Sequence, residues 1–108
     1  MKSMKRKLLK ERLNETCEFM AVVQKVDKKK KKLTLCDVYL REGGEIKKVA
    51  HHLHVFNVMN KELEYITQMD CIFFSAIPSR YKKYDDGEGA VYNYTLRNLS
   101  DILIMEVR

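Results

Sequence analysis

The sequence predicts an all-β domain with short helices. Segments rich in β-branched and aromatic residues alternate with short turns, and a single segment with helical spacing of apolar residues interrupts them. At 108 residues the chain has the length of one domain, which can bury a continuous core without help from a metal or disulfides. We expect residues 1–15 to form a basic N-terminal helix or arm and residues 16–108 to form the domain.

The first half of the chain predicts a short helix and three strands. Leu8, Leu9 and Leu13 lie among charged residues at amphipathic spacing. "TCEFMAVVQKV" (16–26) and "LTLCDVYL" (33–40) predict the first two strands, on either side of the turn "DKKKKK". "EIKKVAHHLHVF" (45–56) predicts the third strand, after a hairpin turn at Gly43 and Gly44, where positive φ costs little.

The second half predicts one short helix and two further strands. "VMNKELEYITQM" spaces its apolar residues about one helical turn apart and offers Asn60 as the N-cap; those apolar residues are Met59, Leu63, Ile66 and Met69. "DCIFFSAI" predicts a fourth strand that Pro78 bounds or bulges. "AVYNYTLRNL" predicts a fifth strand, and "DILIMEV" either extends it or adds one more.

Three strands, a helix and two more strands is the order of the OB-fold, a five-stranded Greek-key barrel with a helix between strands 3 and 4. Two other folds fit less well. An SH3-like barrel normally lacks the full helix, and a ferredoxin-like fold needs a helix directly after strand 1, where this chain has only "DKKKKK".

Composition limits the kinds of partner. The chain has 21 Lys and Arg against 15 Asp and Glu, a net charge of +6, which favours an anionic partner such as nucleic acid or a membrane surface. No segment resembles a signal peptide or reaches the ~20 apolar residues of a membrane span, so we expect a cytoplasmic protein. Cys17, Cys36 and Cys71 are isolated and predict small buried side chains rather than disulfides or a zinc site.

Rings and cations fall where an OB-fold usually binds its ligands, on strands 2 and 3 and on the loops between strands 1 and 2 and strands 4 and 5. Such a mixture suits a single-stranded nucleic acid, because every base offers a face for stacking and every nucleotide a phosphate. The candidate binding residues are Lys28, Lys29, Lys30, Lys31, Lys32, Tyr39, Lys47, His52, His54, Phe56, Arg80, Tyr81, Lys82, Lys83 and Tyr84.

Structural roles without ligand binding also explain some of these residue patterns. A lysine run in a hairpin loop is often a solvated turn. Tyr92 and Tyr94 alternate onto one face with Leu96 and are expected to line the core.

Spacing alone argues against a metal site and against catalysis. His52 and His54 share a strand face about 7 Å apart, but a third ligand would have to come from Cys36 or Asp37 on the neighbouring strand. We therefore expect an exposed, partly aromatic face that also includes Ala50 and Phe56. No phosphate-cradling glycine loop, acid pair or nucleophile with a matched base is recognisable, so we expect neither an enzyme nor a cofactor.

Five short motifs are "LTLCDVYL", "HHLHVF", "MDCIFFSAI", "YKKY" and "YNYTLRNLSDILIMEV", and their signature residues are Asp37, His52, Phe74, Ala76, Tyr81, Tyr84, Tyr94, Leu96 and Asn98. Together these motifs resemble a family of small bacterial OB-fold proteins, common in Firmicutes and mobile elements and mostly uncharacterised. The resemblance spans about residues 17–107, with His54, Met69 and Lys83 departing from the family pattern. By analogy with other OB-folds, the resemblance implies single-stranded nucleic-acid binding.

Two functions follow as hypotheses. The first is binding of single-stranded DNA or RNA with low sequence specificity. The alternative is a protein–protein adaptor or inhibitor that uses an OB barrel, possibly from a mobile element or phage, with a replication or mobile-element protein as its partner. The sequence leaves the choice of DNA or RNA and the oligomeric state open.

Overall fold

The computed structural model describes residues 7–85 and 89–105, with the backbone alone for 83–85 and 89–92. Five antiparallel strands form one sheet in the order β3-β2-β1-β4-β5. The elements are α1 (Lys7–Lys10), β1 (Cys17–Asp27), β2 (Lys32–Glu42), β3 (Glu45–Val55), α2 (Asn60–Leu63), β4 (Cys71–Asp85) and β5 (Gly89–Met105). This is the predicted strand order of the OB-fold, with the helix between β3 and β4.

The sheet curls without closing completely. Within the described residues, no backbone ladder joins β3 to β5. The two strands nevertheless meet, since the Thr95 hydroxyl on β5 donates a hydrogen bond of 2.8 Å to the His54 carbonyl on β3. We call this junction the seam.

Two tight turns set the register of the first three strands. Between β2 and β3, Gly43 (φ 58°) and Gly44 (φ 82°) connect the paired residues Glu42 and Glu45. Positive φ at both central residues is the requirement of a type I′ hairpin turn, so the predicted hairpin is confirmed. Between β1 and β2, residues 28–31 form the turn that connects the paired residues Asp27 and Lys32.

A bulge changes which residues of β3 face the core. The β2–β3 register shifts between Val38 and Tyr39, so that Val49 and Ala50 on β3 are both buried. The prediction that Ala50 shares the exposed face of His52 was therefore wrong. Ala50 pairs with buried Val38, and the left-handed backbone of Asp37 (φ 50°) interrupts the alternation between this pair and the next pair, Cys36 with His52.

Strand β4 is longer than predicted, because it runs through Pro78 to Asp85. The expectation that Pro78 bounds or bulges the strand was wrong, since both register shifts of the β4–β5 ladder fall between residues 73 and 77. The last β4 residue that pairs with β1 is Ala76, so the proline faces no β1 ladder that would need its N–H. Its carbonyl accepts a hydrogen bond of 2.9 Å from the Asn14 N–H.

Beyond Ala76, β4 pairs with β5 alone, and the two strands form a ribbon (residues 77–85 with 89–97). Strand β5 then continues to Met105 as one element, so the "DILIMEV" segment extends the fifth strand. Asn98 (φ 57°) and Asp101 (φ 52°) adopt left-handed backbone within it, at the positions where its pairing with β4 changes register.

The helix after β3 is shorter than its apolar spacing predicts. Leu63 and Ile66 are buried as expected, but Met69 is 73% exposed. Its N–H donates to the Val23 carbonyl at 2.7 Å, which ties this residue to the sheet instead of to a helix. The prediction of Asn60 as N-cap was also wrong, because Met59 occupies that position and makes no side-chain capping bond.

The core lies between the curled strands. It contains the stacked Phe19 and Phe74 rings, whose centroids are 5.6 Å apart. Leu96 is buried and Tyr94 packs against the core, as predicted, while the Tyr92 side chain lies outside the described residues. Leu9 of α1 is fully buried in the same core, so this turn of helix packs as part of the domain.

The three cysteines are free, as predicted, but half-buried rather than buried. Cys36 and Cys71 lie on β2 and β4, on opposite sides of Val22 in β1. Burial raises the pKa of the Cys17 and Cys36 thiols, which disfavours the reactive thiolate. Across residues 7–85 and 89–105, the helices are all too short to cross a membrane.

Candidate functional site

Aromatic side chains from two distant parts of the chain meet at the seam. His54 and Phe56, from the end of β3, line a cavity of about 350 Å³ together with Tyr81 and Thr95 from the ribbon. Phe56 is 55% exposed and Tyr81 is 40% exposed, so both rings are accessible to a ligand. Exposed rings around an open cavity can stack on planar groups.

A cation completes this arrangement. The Lys32 ammonium lies 5.7 Å from the centroid of the Phe56 ring, and the His54 and Phe56 centroids are 6.5 Å apart. The Thr34 hydroxyl shares a hydrogen bond of 3.1 Å with His54 Nδ1, which orients the imidazole. We call Lys32, His54, Phe56 and Tyr81 the ring cluster.

The other predicted residues of the ribbon do not all face this cavity. Arg80 and Lys82 are exposed, and strand alternation places them on the opposite face of β4 from Tyr81. The side chains of Lys83 and Tyr84 lie outside the described residues.

The lysine loop (residues 28–32) lies beside the ring cluster and carries cations without salt bridges. In the described parts of the chain, no carboxylate lies within ion-pair distance of these five ammonium groups. Lys32 lies beside Phe56, whereas Lys28 and Lys29 line a separate cavity that contains none of the ring-cluster residues. The structure therefore brings only part of the predicted lysine run to the rings.

The opposite end of the sheet, near the β2–β3 turn, differs in its electrostatics. We call it the hairpin end. Lys48 lies 5.9 Å from the centroid of the Tyr39 ring and donates to Asp37 Oδ1 at 3.0 Å. The hydrogen bond from Lys48 lowers the pKa of the Asp37 carboxyl. The predicted residue Tyr39 is thus placed away from the ring cluster, beside a neutralised cation.

Two more cations at the hairpin end are paired. Arg41 lies 3.9 Å from Glu18 and stacks over the Phe73 ring, 4.4 Å from its centroid. Lys47 is 3.4 Å from Glu45 and pairs in the ladder with buried Leu40, which places it on the face opposite to Lys48. The predicted residue Lys47 therefore does not join the other candidates.

The histidines are held by neighbouring side chains. His52 Nδ1 is hydrogen-bonded to Gln24 Oε1 at 3.0 Å on β1, and His54 to Thr34 on β2. Across the part of the chain that the structure describes, no three His, Cys, Asp or Glu side chains converge as metal ligands would. His52 and His54, with their partners Gln24 and Thr34, therefore form a polar border beside the exposed rings.

Sequence reasoning missed Thr34 and Thr95, which position His54, and Arg41 and Phe73, which form the ring–cation pair of the hairpin end. Alternation along β2 does place Thr34 on the outer face with Cys36. The other contacts depend on which residues lie opposite each other in neighbouring strands, and this register cannot be read from the sequence.

Comparison with known proteins supports the class of fold that the strand order and site define, the OB-fold. Two crystal structures of the mitochondrial single-stranded DNA-binding protein Rim1 from S. cerevisiae superpose with TM-scores of 0.50 and 0.51. They are 15% and 14% identical to this chain, and each match covers 86% of this chain and 96% of the Rim1 chain. At this identity the likeness establishes a shared fold. No family model and no curated protein matches the sequence.

Proposed function

We propose that this protein binds single-stranded nucleic acid, with single-stranded DNA as the favoured ligand, and that it does so with low sequence preference. The observation that carries the proposal is the ring cluster, where accessible rings and a lysine surround one open cavity. The similarly folded Rim1 structures, described as single-stranded DNA-binding proteins, support it.

The chemistry of the ring cluster suits bases rather than base sequence. Phe56 and Tyr81 offer flat faces on which any base can stack, worth about 1–3 kcal/mol per base. Lys32 lies where it can contact the adjoining phosphate, and the loop lysines extend the positive surface. The proposed activity is binding alone, without catalysis or a cofactor, in the cytoplasm.

The distribution of salt bridges favours the lysine loop over the hairpin end as the phosphate-binding region. The lysine loop has no carboxylate partner within the described residues, whereas Arg41, Lys47 and Lys48 are each paired. A paired cation must give up its carboxylate before it binds phosphate, so its net gain is smaller. The phosphates are therefore bound mainly at the lysine loop.

The test is a fluorescence-anisotropy titration of labelled oligonucleotides at several salt concentrations, with single- and double-stranded DNA and RNA of the same sequence. We expect single strands to bind most tightly, with a log–log salt slope of ~0.7 per phosphate neutralised. Absence of binding at low salt, or equal binding of duplexes, rejects the proposal.

A row of apolar side chains favours a second candidate function, the protein–protein adaptor. Tyr39, Met20, Phe73 and Leu103 are neighbours across β2, β1, β4 and β5, and Leu103 is 65% exposed. Exposed apolar groups that adjoin one another are typical of protein-binding surfaces. An adaptor would retain its partner in pull-downs after nuclease treatment, and the substitution Leu103→Glu would release that partner.

The kinship with small bacterial OB-fold proteins, and with it an origin in a mobile element, is likewise a proposal. It rests on the motif residues Asp37, His52, Tyr81, Tyr94 and Asn98.

A further inference from the structure

A second groove adjoins the lysine loop and shares no lining residue with the cavity of the ring cluster. It has a volume of about 510 Å³ and runs between the end of β1, the lysine loop and the connection from α2 to β4. Lys25, Lys28 and Lys29 line it, and Thr67 and Gln68 add polar groups from the connection. We call it the lysine groove.

Two hydrogen bonds anchor the backbone of the lysine loop. The Lys30 N–H donates to Asp27 Oδ1 at 3.1 Å, and the Lys31 carbonyl accepts a hydrogen bond of 2.9 Å from the Val58 N–H. Lys31 itself adopts left-handed backbone, with φ of 53°. Because both sides of the turn are anchored, the loop presents Lys32 to the rings and Lys28 to the groove without a further ordering cost to its backbone.

The charge of the lysine groove suits an anion. Among the described residues, Lys25, Lys28 and Lys29 have no carboxylate within ion-pair distance. Asp27 also lines the groove, but its Oδ1 already accepts the backbone N–H of Lys30. Its apolar side chains are Val26 and Ile66, and no ring is among its described residues, so it offers cations for phosphates but no ring on which a base could stack.

We infer that the lysine groove binds the sugar–phosphate backbone of the same single strand that the ring cluster binds, after that strand has crossed the lysine loop. This inference rests on the proposed function. It divides the binding surface into a part that stacks bases and a part that contacts phosphates, and only a strand long enough to pass the loop reaches both.

The test compares oligothymidylates of roughly 4 and roughly 16 nucleotides, the limits of the site sizes typical of one OB-fold. The variant combines Lys25→Ala, Lys28→Ala and Lys29→Ala, all at exposed positions. For the long oligomer we expect about a tenfold loss of affinity at low salt and a log–log salt slope smaller by about 2, at ~0.7 for each phosphate that is no longer neutralised. For the short oligomer we expect affinity equal to that of the unmodified protein.

A matched control removes the same charge elsewhere. Lys7→Ala, Lys10→Ala and Lys47→Ala together also lower the net charge by three, at exposed positions of α1 and the hairpin end. This control is expected to leave the ratio of long- to short-oligomer affinity unchanged. Gln68→Glu, which adds a carboxylate to the groove, is expected to weaken the long oligomer more than Gln68→Ala does.

Three results separate the inference from the proposed function. If the groove variant weakens both lengths equally, or if the matched control behaves in the same way, the lysines act only through total charge and the inference is wrong. If the groove variant weakens neither length while Phe56→Ala weakens the short oligomer, the ring cluster binds the strand and the groove does not. If the unmodified protein binds neither length, the proposed function itself fails.

Discussion

The lysine-loop end and the hairpin end of this protein are both rich in cations, but they use them differently. At the hairpin end, Arg12 forms a bidentate salt bridge with Glu42, and Arg41, Lys47 and Lys48 each have a carboxylate partner. In the lysine loop, no such partner is found within the described residues. Net charge alone therefore overstates how many cations are available to an anion. Under the proposed function, the pairing favours the lysine loop as the end that binds.

The Arg12–Glu42 salt bridge joins the segment after α1 to the hairpin end. Loss of the buried packing of α1 should produce the largest effect on stability. Leu9→Ala removes a fully buried leucine and is expected to cost about 2–5 kcal/mol of unfolding free energy. Chemical denaturation measures this, with the exposed Lys10→Ala as a near-neutral control. Oligonucleotide affinity should be unchanged where the variant is folded. A cost near zero would mean that residues 1–15 are a detachable arm, and the two ends would then not divide structure from binding.

Substitutions in the ring cluster should have the opposite effect: they should reduce affinity for single strands and change stability little. Phe56→Ala and Tyr81→Ala are each expected to weaken single-strand binding by about 1–3 kcal/mol, roughly 5- to 150-fold in Kd. Anisotropy titrations measure the affinity, and thermal melts check the fold. Tyr39→Ala provides the matched ring at the hairpin end, and equal losses at Tyr39 and Tyr81 would contradict the assignment of the bases to the seam.

Single-lysine substitutions test which of the two ends contacts the phosphates. Lys32→Ala is expected to reduce the log–log salt slope by ~0.7, since it removes the cation that neutralises one phosphate. Lys48→Ala is expected to leave the slope nearly unchanged, because Asp37 already neutralises that cation. Titrations across a salt series give both slopes. A larger change for Lys48 than for Lys32 would place the phosphates at the hairpin end.

The smallest expected effect is a pH dependence of stability at the hairpin end. The hydrogen bond from Arg12 lowers the pKa of the Glu42 carboxyl in the folded state. Because its folded pKa is lowered, the ionised Glu42 carboxyl contributes to folding stability. This contribution is fully present above the unfolded Glu pKa, near 4.3, and is lost as the pH falls through the folded pKa. We therefore expect Glu42→Gln to lower Tm slightly at pH 7, and we expect the difference from the unmodified protein to shrink as the pH falls below the unfolded Glu pKa and to vanish below the lowered folded pKa. A constant Tm difference across that range would show that the bridge contributes nothing through its charge.

Much of the fold could be predicted because the local signals agree with it. The alternating apolar residues of β1, the type I′ turn at Gly43 and Gly44 and the order of strands and helix all specify the same topology. The failures occur where tertiary contacts override a local pattern. Ala50 is buried opposite Val38, the Met69–Val23 hydrogen bond ends the helix early, and Pro78 is tolerated where β1 no longer pairs with β4.

The candidate site could be predicted in type but not in arrangement. Residue chemistry singled out Lys32, His54, Phe56 and Tyr81 as candidates, and the structure brings these four together. It also grouped them with Tyr39 and Lys47, because distance along a sequence does not tell which end of a sheet a residue occupies. Salt-bridge pairing, which separates the two ends, depends on contacts between strands far apart in the chain.

The seam between β3 and β5 bears on how the ring cluster accommodates its ligand. A ladder of backbone hydrogen bonds between β3 and β5 would fix the distance between Tyr81 and Phe56. Within the described residues, the Thr95 hydroxyl instead donates a single hydrogen bond to the His54 carbonyl. A hydroxyl can rotate away at small cost, so the two sides of this cavity are coupled loosely. Under the proposed function, this loose coupling would let the same two rings hold purines and pyrimidines, so that low base preference would come from the barrel's open side as well as from its aromatic chemistry.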